Sequence, residues 1–139
     1  MQKPSKDKTL TKSTPLTSKS ARVFKTKRFD KDARKEGIPD DELCTAAKEL
    51  SEGKGDDLGG NVWKKRLNEN RSRSIVATKP GEFWVFNYLF GKSDRDNIDG
   101  DELAAFKKLA SDYNQFGQAG INVLLAAKSM KEICDDHKK

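Results

Sequence analysis

VWKKRLNENRSRSIVATKPGEFWVFNYLF, Val62–Phe90, is the stretch that decides the fold. Val62–Leu67 alternates along its length, and Arg73–Thr78 is β-branched in its middle. Phe83–Phe90 is apolar at odd and even positions alike, so neither of its faces suits water. It should therefore be the central, most buried strand. Lys79-Pro80-Gly81-Glu82 supplies the turn before it. The three segments predict an antiparallel meander with helices packed on one face.

Upstream, Arg22–Lys25 reads as a short strand and Phe29–Glu36 as a short helix. Gly37 suits the left-handed position after a helix, and Pro39 blocks continuation. Leu43, Ala46, Ala47 and Leu50 then fall at i, i+3, i+4 and i+7 of an amphipathic helix. Gly53, Gly55, Gly59 and Gly60 punctuate a loop. Downstream, Asp99 and Glu102 form a capping box for a helix buried through Leu103, Phe106, Leu109, Ala110 and Tyr113. A last helix is expected over Gln118–Ile133. The fold class is α+β, with a small sheet of three or four strands, an N-terminal helical pair and C-terminal helices.

The chain of 139 residues suits one small domain, expected over residues 21–139. Residues 1–20 are nearly all Lys, Ser, Thr and Pro, and should form a disordered basic extension. Such an arm is a bystander, a source of non-specific affinity for nucleic acid or a transit peptide, the last disfavoured because the segment lacks arginine and amphipathic spacing. No run of eighteen apolar residues exists, so no membrane partner is expected. Cys44 and Cys134 follow no metal spacing, and a reduced, cytoplasmic chain is the simplest reading.

The net charge of +6 is unevenly placed. Residues 1–28 carry nine Lys/Arg against one Asp, and residues 61–95 carry eight against three acids. Residues 29–60 have five bases and ten acids, and residues 96–139 six and eight. Basic charge thus sits in a tail and in one central segment, which points to a docking face.

Other motifs carry little. Asp94–Glu102 looks like a calcium loop, but placing Gly100 at position six puts Arg95 at position one and Phe106 at position twelve. Cys134-Asp135-Asp136-His137 lacks the further ligands that structural zinc needs. No Walker, G-x-G-x-x-G or G-x-S-x-G sequence occurs, so neither a metal nor a small-molecule cofactor is expected. His137, the only histidine, argues against a histidine-dependent triad.

In an extended Val62–Leu67, Lys64 and Arg66 share a face with Val62, while Trp63, Lys65 and Leu67 point the other way. If helices cover Trp63 and Leu67, Lys64 and Arg66 project outward. A hairpin would bring Arg71 and Arg73 to the same end, and Lys92 and Arg95 could converge there. Such a face, with aromatics at hand, suits a ribose-phosphate chain. Cleaving RNA through its own 2′-hydroxyl needs proton transfer and stabilisation of developing charge, and cations suit the second task. A lysine acting at neutral pH would have to fall from about 10.4 to about 7–8, or about 4 kcal/mol. One like charge about 6 Å away supplies roughly 0.7 kcal/mol in water and about 2.8 at an effective dielectric of 20. A nuclease of this kind should be slow alone and fast when a large partner encloses it.

Taken in order, RVFKTKRFDKDARKEGIPDDEL, DLGGNVWKKRLNENRSRSIVATK, FWVFNYLFGKSDRDNIDGDELAAFKKLA and KEIC resemble the RelE/ParE-type toxins of bacterial type II toxin–antitoxin modules. The likeness is to the RelE/HigB-like branch and runs from about Arg22 to Cys134. It implies a microbial-ribonuclease-like α+β fold and metal-independent cleavage of mRNA in the ribosomal A site. It implies as partners the ribosome, mRNA and a cognate antitoxin, in this branch usually a helix-turn-helix protein. By position, Lys64, Lys65, Arg66, Arg71 and Arg73 match the family's cationic cluster, and Lys92 and Arg95 its basic pair after the last strand. Lys64 and Arg66 would hold the scissile phosphate. Lys65 or Arg73 would move a proton or stabilise charge, and Lys92 and Arg95 would touch flanking RNA. Where many relatives carry a Gly-rich loop or a histidine, this chain has Arg71-Ser72, which leaves the acid and base unassigned.

Two other functions share the scaffold: a ParE-like inhibitor of DNA gyrase, and an inactive nucleic-acid-binding or regulatory module. The cationic strand favours RNA, provided its side chains share one open face.

Overall fold

A computed structural model describes residues 21–134. The basic extension 1–20 and the segment holding His137 lie outside the described residues. The elements in order are β1 (Arg22–Thr26), α1 (Lys27–Lys35), α2 (Asp40–Ser51), β2 (Asp56–Gly59), β3 (Val62–Leu67), β4 (Ser72–Lys79), β5 (Phe83–Gly91), α3 (Gly100–Ala126) and β6 (Met130–Ile133). One sheet of six strands runs β2-β3-β4-β5-β1-β6. All neighbours are antiparallel except β1 and β5, which pair in parallel.

The α+β class and the meander β3-β4-β5 agree with the sequence reading; the strand count does not. Asp56–Gly59, read as loop, is a short edge strand against β3. Met130–Ile133, read as the end of a helix, is a strand against β1. Both are four residues long, too short for a period-2 pattern to show. The two expected C-terminal helices are both present within α3 and meet at Gly117, whose backbone is not helical, with φ 56° and ψ −144°. An ordinary side chain is strained there, and the bend separates the helix capped at Asp99 from the one expected to start at Gln118.

Helices cover both faces of the sheet rather than one, because β5 is buried on both. Trp84, Phe86 and Leu89 pack with Phe29, Ala33, Leu43, Ala47 and Leu50 of α1 and α2. Phe83, Val85 and Phe90 pack with Ala110, Tyr113 and Ile121 of α3. A bulge decides which side chains go where. Ile75 pairs with Tyr88 but Val76 with Phe86, so Asn87 is left over. Strict alternation would place Tyr88 and Phe90 with Trp84 and Phe86; the extra residue moves them to the α3 side. Asn87 itself is buried, accepts from the Tyr113 hydroxyl at 3.0 Å and donates to the Val85 carbonyl.

Two further ties hold β1, α1, α2 and β6 together. The buried Lys25 ammonium lies 2.6 Å from both Asp30 and Asp40. Asp30 also takes hydrogen bonds from Arg34 and Lys131, each at 3.1 Å. Burial pushes the Asp30 carboxyl up, but the hydrogen bonds from Lys25, Lys131 and Arg34 outweigh it and hold it at about 2. The second tie corrects the reading of two free thiols: Cys44 of α2 and Cys134 after β6 form a disulfide across 90 positions.

The Cys44–Cys134 bond closes a long loop, so replacing both cysteines by serine should lower stability by about 2–4 kcal/mol in urea unfolding, and thiol reductants should do the same to the wild type. Asp30→Asn should destabilise by about 2 kcal/mol at pH 7. Because the folded carboxyl titrates lower than the unfolded one, the gap between wild type and variant should close as pH falls from about 5 towards 2.

Candidate nucleic-acid interface

The hairpin of β3 and β4 builds the site. Its turn, Asn68-Glu69-Asn70, is left-handed at all three residues, a conformation that asparagine tolerates better than most. Glu42 of α2 accepts the Asn68 N–H and so pins the hairpin tip to the helix. Register then places Lys64 opposite Ile75 and Arg66 opposite Arg73. Across β4, Ile75 faces Tyr88 and Arg73 faces Phe90. Val62, Ile75, Tyr88 and Phe90 all belong to the α3 side, so Lys64, Arg66 and Arg73 do too.

Two rows therefore cross the sheet on one face: Arg66, Arg73, Phe90 and Lys64, Ile75, Tyr88. Cross-strand neighbours lie about 5 Å apart and next-but-one residues about 7 Å apart, so the three cations fall within roughly 10 Å. Arg66 is exposed, Arg73 partly so, and the Lys64 side chain keeps 16% of its surface. Asp56 lies 3.9 Å from the Lys64 ammonium. Arg73 donates to the carbonyls of Asn70 and Ser72.

The other expected residues divide. Lys65 lies on the opposite face, where it donates to the Lys54 carbonyl at 2.7 Å and pairs with Glu49 at 2.9 Å. The hydrogen bond from Lys65 holds the Glu49 carboxyl below its usual range. Lys65 thus ties β3 to α2, away from Lys64 and Arg66. Arg71 and Lys92 meet at the end of the sheet, the Lys92 N–H donating to the Arg71 carbonyl at 2.8 Å. The Arg71 side chain turns to Asn68 and Glu69, while Lys92 is exposed.

Arg95 reaches back over the face. Its guanidinium grips both oxygens of Glu102, donates to the Tyr88 hydroxyl at 3.3 Å and lies 5.6 Å from the Phe90 ring centre. Glu102, and then Tyr88, hold that guanidinium firmly in its charged form. Arg95 and the Asp99 N–H in turn keep the Glu102 carboxyl below its usual range. From the other side, Arg28 of α1 stands 5.3 Å over the Tyr88 ring, and Phe106 of α3 lies alongside it at 6.0 Å.

Tyr88, Arg28, Phe106 and Glu102 are the site residues that sequence reasoning missed. The bulge at Asn87 hid Tyr88, and Arg28 sits in the first turn of α1 with no signal to mark it. A hollow of about 1220 Å³ lies on the opposite face, lined by Trp63, Trp84, Asp40, Asp41, Asp57 and Lys48 among others. Its acidic rim has the wrong sign for phosphate.

The arrangement can hold anionic oxygens at Lys64, Arg66 and Arg73 beside a ring able to stack. Residues 21–133 match the family model of the RelE toxin of the RelE/RelB toxin–antitoxin system. No curated protein matches the chain. The chain belongs to the RelE toxin family, whose toxins are partnered by antitoxins.

Like charges placed directly opposite each other destabilise a sheet, and Arg66 and Arg73 are so placed. Arg66→Thr should therefore leave stability unchanged or raise it by up to about 0.5 kcal/mol in urea unfolding, with the gain shrinking as salt is added.

Proposed function

We propose that this RelE-family toxin is a ribosome-dependent endoribonuclease that cuts mRNA and so stops translation. The observation that carries the reading is the convergence of Lys64, Arg66 and Arg73 on the face of Tyr88 and Phe90. Lys64, Arg66 and Arg73 hold the scissile phosphate and the charge that grows on it. The reaction uses the RNA's own 2′-hydroxyl as nucleophile, so the protein must position, accept and return a proton, and stabilise charge. Guanidinium groups do not give up protons in proteins, which limits Arg73 to charge stabilisation. Among the groups on this face able to exchange one are the Lys64 ammonium, the Tyr88 hydroxyl, which already accepts from Arg95, and the carboxylates of Glu102 and Asp56. Lys65 is left out of this assignment because it points into the contact with α2.

Arg71 and Lys92, side by side at the sheet's end, extend the cationic track to flanking RNA or ribosomal RNA. The exposure of Arg66 fits an open site that a ribosomal surface completes, where exclusion of water strengthens each charge. A cognate antitoxin, of the helix-turn-helix kind, would hold the toxin inactive in the cytoplasm. Thiol reductants there act against the Cys44–Cys134 bond.

Inducing the chain without an antitoxin should arrest growth, and cell-free translation should yield messages cut in their coding region with 2′,3′-cyclic or 3′-phosphate ends. Arg66→Glu together with Arg73→Glu should abolish both effects while leaving the fold intact. Growth arrest with intact message and inhibited DNA gyrase would replace the ribonuclease with a gyrase-directed toxin.

A further inference from the structure

Beside the cationic rows lies a depression of about 160 Å³ lined by Arg28, Tyr88, Glu102, Ala105 and Phe106. Three elements meet there: the first turn of α1, the end of β5 beyond the bulge and the first turns of α3. Its walls are two aromatic rings and a guanidinium plane, surfaces on which a flat heterocycle stacks whatever its sequence. Its polar groups are the Arg28 guanidinium, the Tyr88 hydroxyl and the Glu102 carboxylate, and the carboxylate, held in place by Arg95 and the helix cap, makes the depression selective.

An ionised carboxylate offers about four acceptor positions and no donor. Three at Glu102 are filled: Oε1 takes Arg95 and the Asp99 N–H, and Oε2 takes Arg95. One position on Oε2 stays free among these contacts. Arg95 and the capping box fix the carboxylate, so it cannot turn away from a poor match. We propose that this depression is a subsite for one nucleobase next to the scissile phosphate, and that Glu102 selects a base bearing an exocyclic amine. Cytosine offers its N4 amine to the carboxylate; uracil presents a carbonyl oxygen at the same place and is repelled. Arg28 and Phe106 supply the stacking surface and Tyr88 joins the subsite to the reacting phosphate. The inference rests on the RNA-cleaving reading and adds to it a preference among bases.

The test uses the whole chain in cell-free translation. Paired messages differ only by C or U at one codon position, and each of the three positions is tried in turn. Cut yield is read by primer extension. At one position the wild type should cut the C message roughly tenfold more than the U message, the scale of one hydrogen bond to a charged group. Glu102→Gln keeps the helix cap, since glutamine serves there as well as glutamate. Its amide trades one Arg95 hydrogen bond for a donor that uracil can use, so the C to U ratio should fall to within about twofold. Phe106→Leu keeps apolar volume but removes the ring, and should lower cutting of both messages; Phe106→Tyr should restore it. Equal cutting of C and U at all three positions, abolished by Arg66→Glu with Arg73→Glu, overturns the subsite and leaves the ribonuclease standing. A ratio unchanged by Glu102→Gln overturns the role of Glu102. Messages left whole by the wild type remove the ribonuclease and the subsite together.

Discussion

Strand β5 has no face that water can accept, and the rest of the molecule is arranged around that constraint. Both sides of Phe83–Gly91 must be covered, so α1 and α2 close one and α3 the other. The two covers are unequal. The bulge at Asn87 sends Tyr88 and Phe90 to the α3 side, near the end of the sheet where the hairpin cations lie. One extra residue therefore converts what would have been core aromatics into the backing of a cationic surface. Without it, the hairpin would present Lys64, Arg66 and Arg73 with no aromatic backing from β5.

That surface works against the fold that carries it. Arg66 faces Arg73 across the ladder, and neither has a carboxylate among the ion pairs of the described residues. Elsewhere the charges are paired with care: Lys25 between two aspartates, Lys65 with Glu49, Arg95 with Glu102. Other exposed cations, Lys31, Lys48 and Lys92 among them, also stand outside those ion pairs, but Arg66 and Arg73 do so while facing each other across a strand pair, and on the RNA-binding reading a polyanion would supply their missing partner. Stability comes from other places, from two apolar layers and from the covalent tie between α2 and the end of β6.

The sequence made the meander legible because its three strands are long enough for alternation and apolar runs to register. Val62–Leu67 falls where the pattern placed it, as do the capping box at Asp99 and the left-handed Gly37. The face shared by Lys64 and Arg66 followed from period two alone. The four-residue strands β2 and β6 were illegible because tertiary pairing, not local pattern, makes them strands. Tyr88 stayed hidden since a bulge leaves no mark in an apolar run. Period two already turned Lys65 away from Lys64 and Arg66, and it stayed among the expected site residues only through the family's cationic cluster; its partner Glu49 on α2 could not be read from the sequence. The disulfide escaped because 90 intervening positions carry no information about distance in space.

The parallel pairing of β1 with β5 seats the N-terminal strand between the meander and β6, so that Arg22 grips Glu132 from 110 positions away. In a chain still being made, β1 therefore keeps one edge without its strand partner until Met130–Ile133, at the far end of the described residues, has emerged.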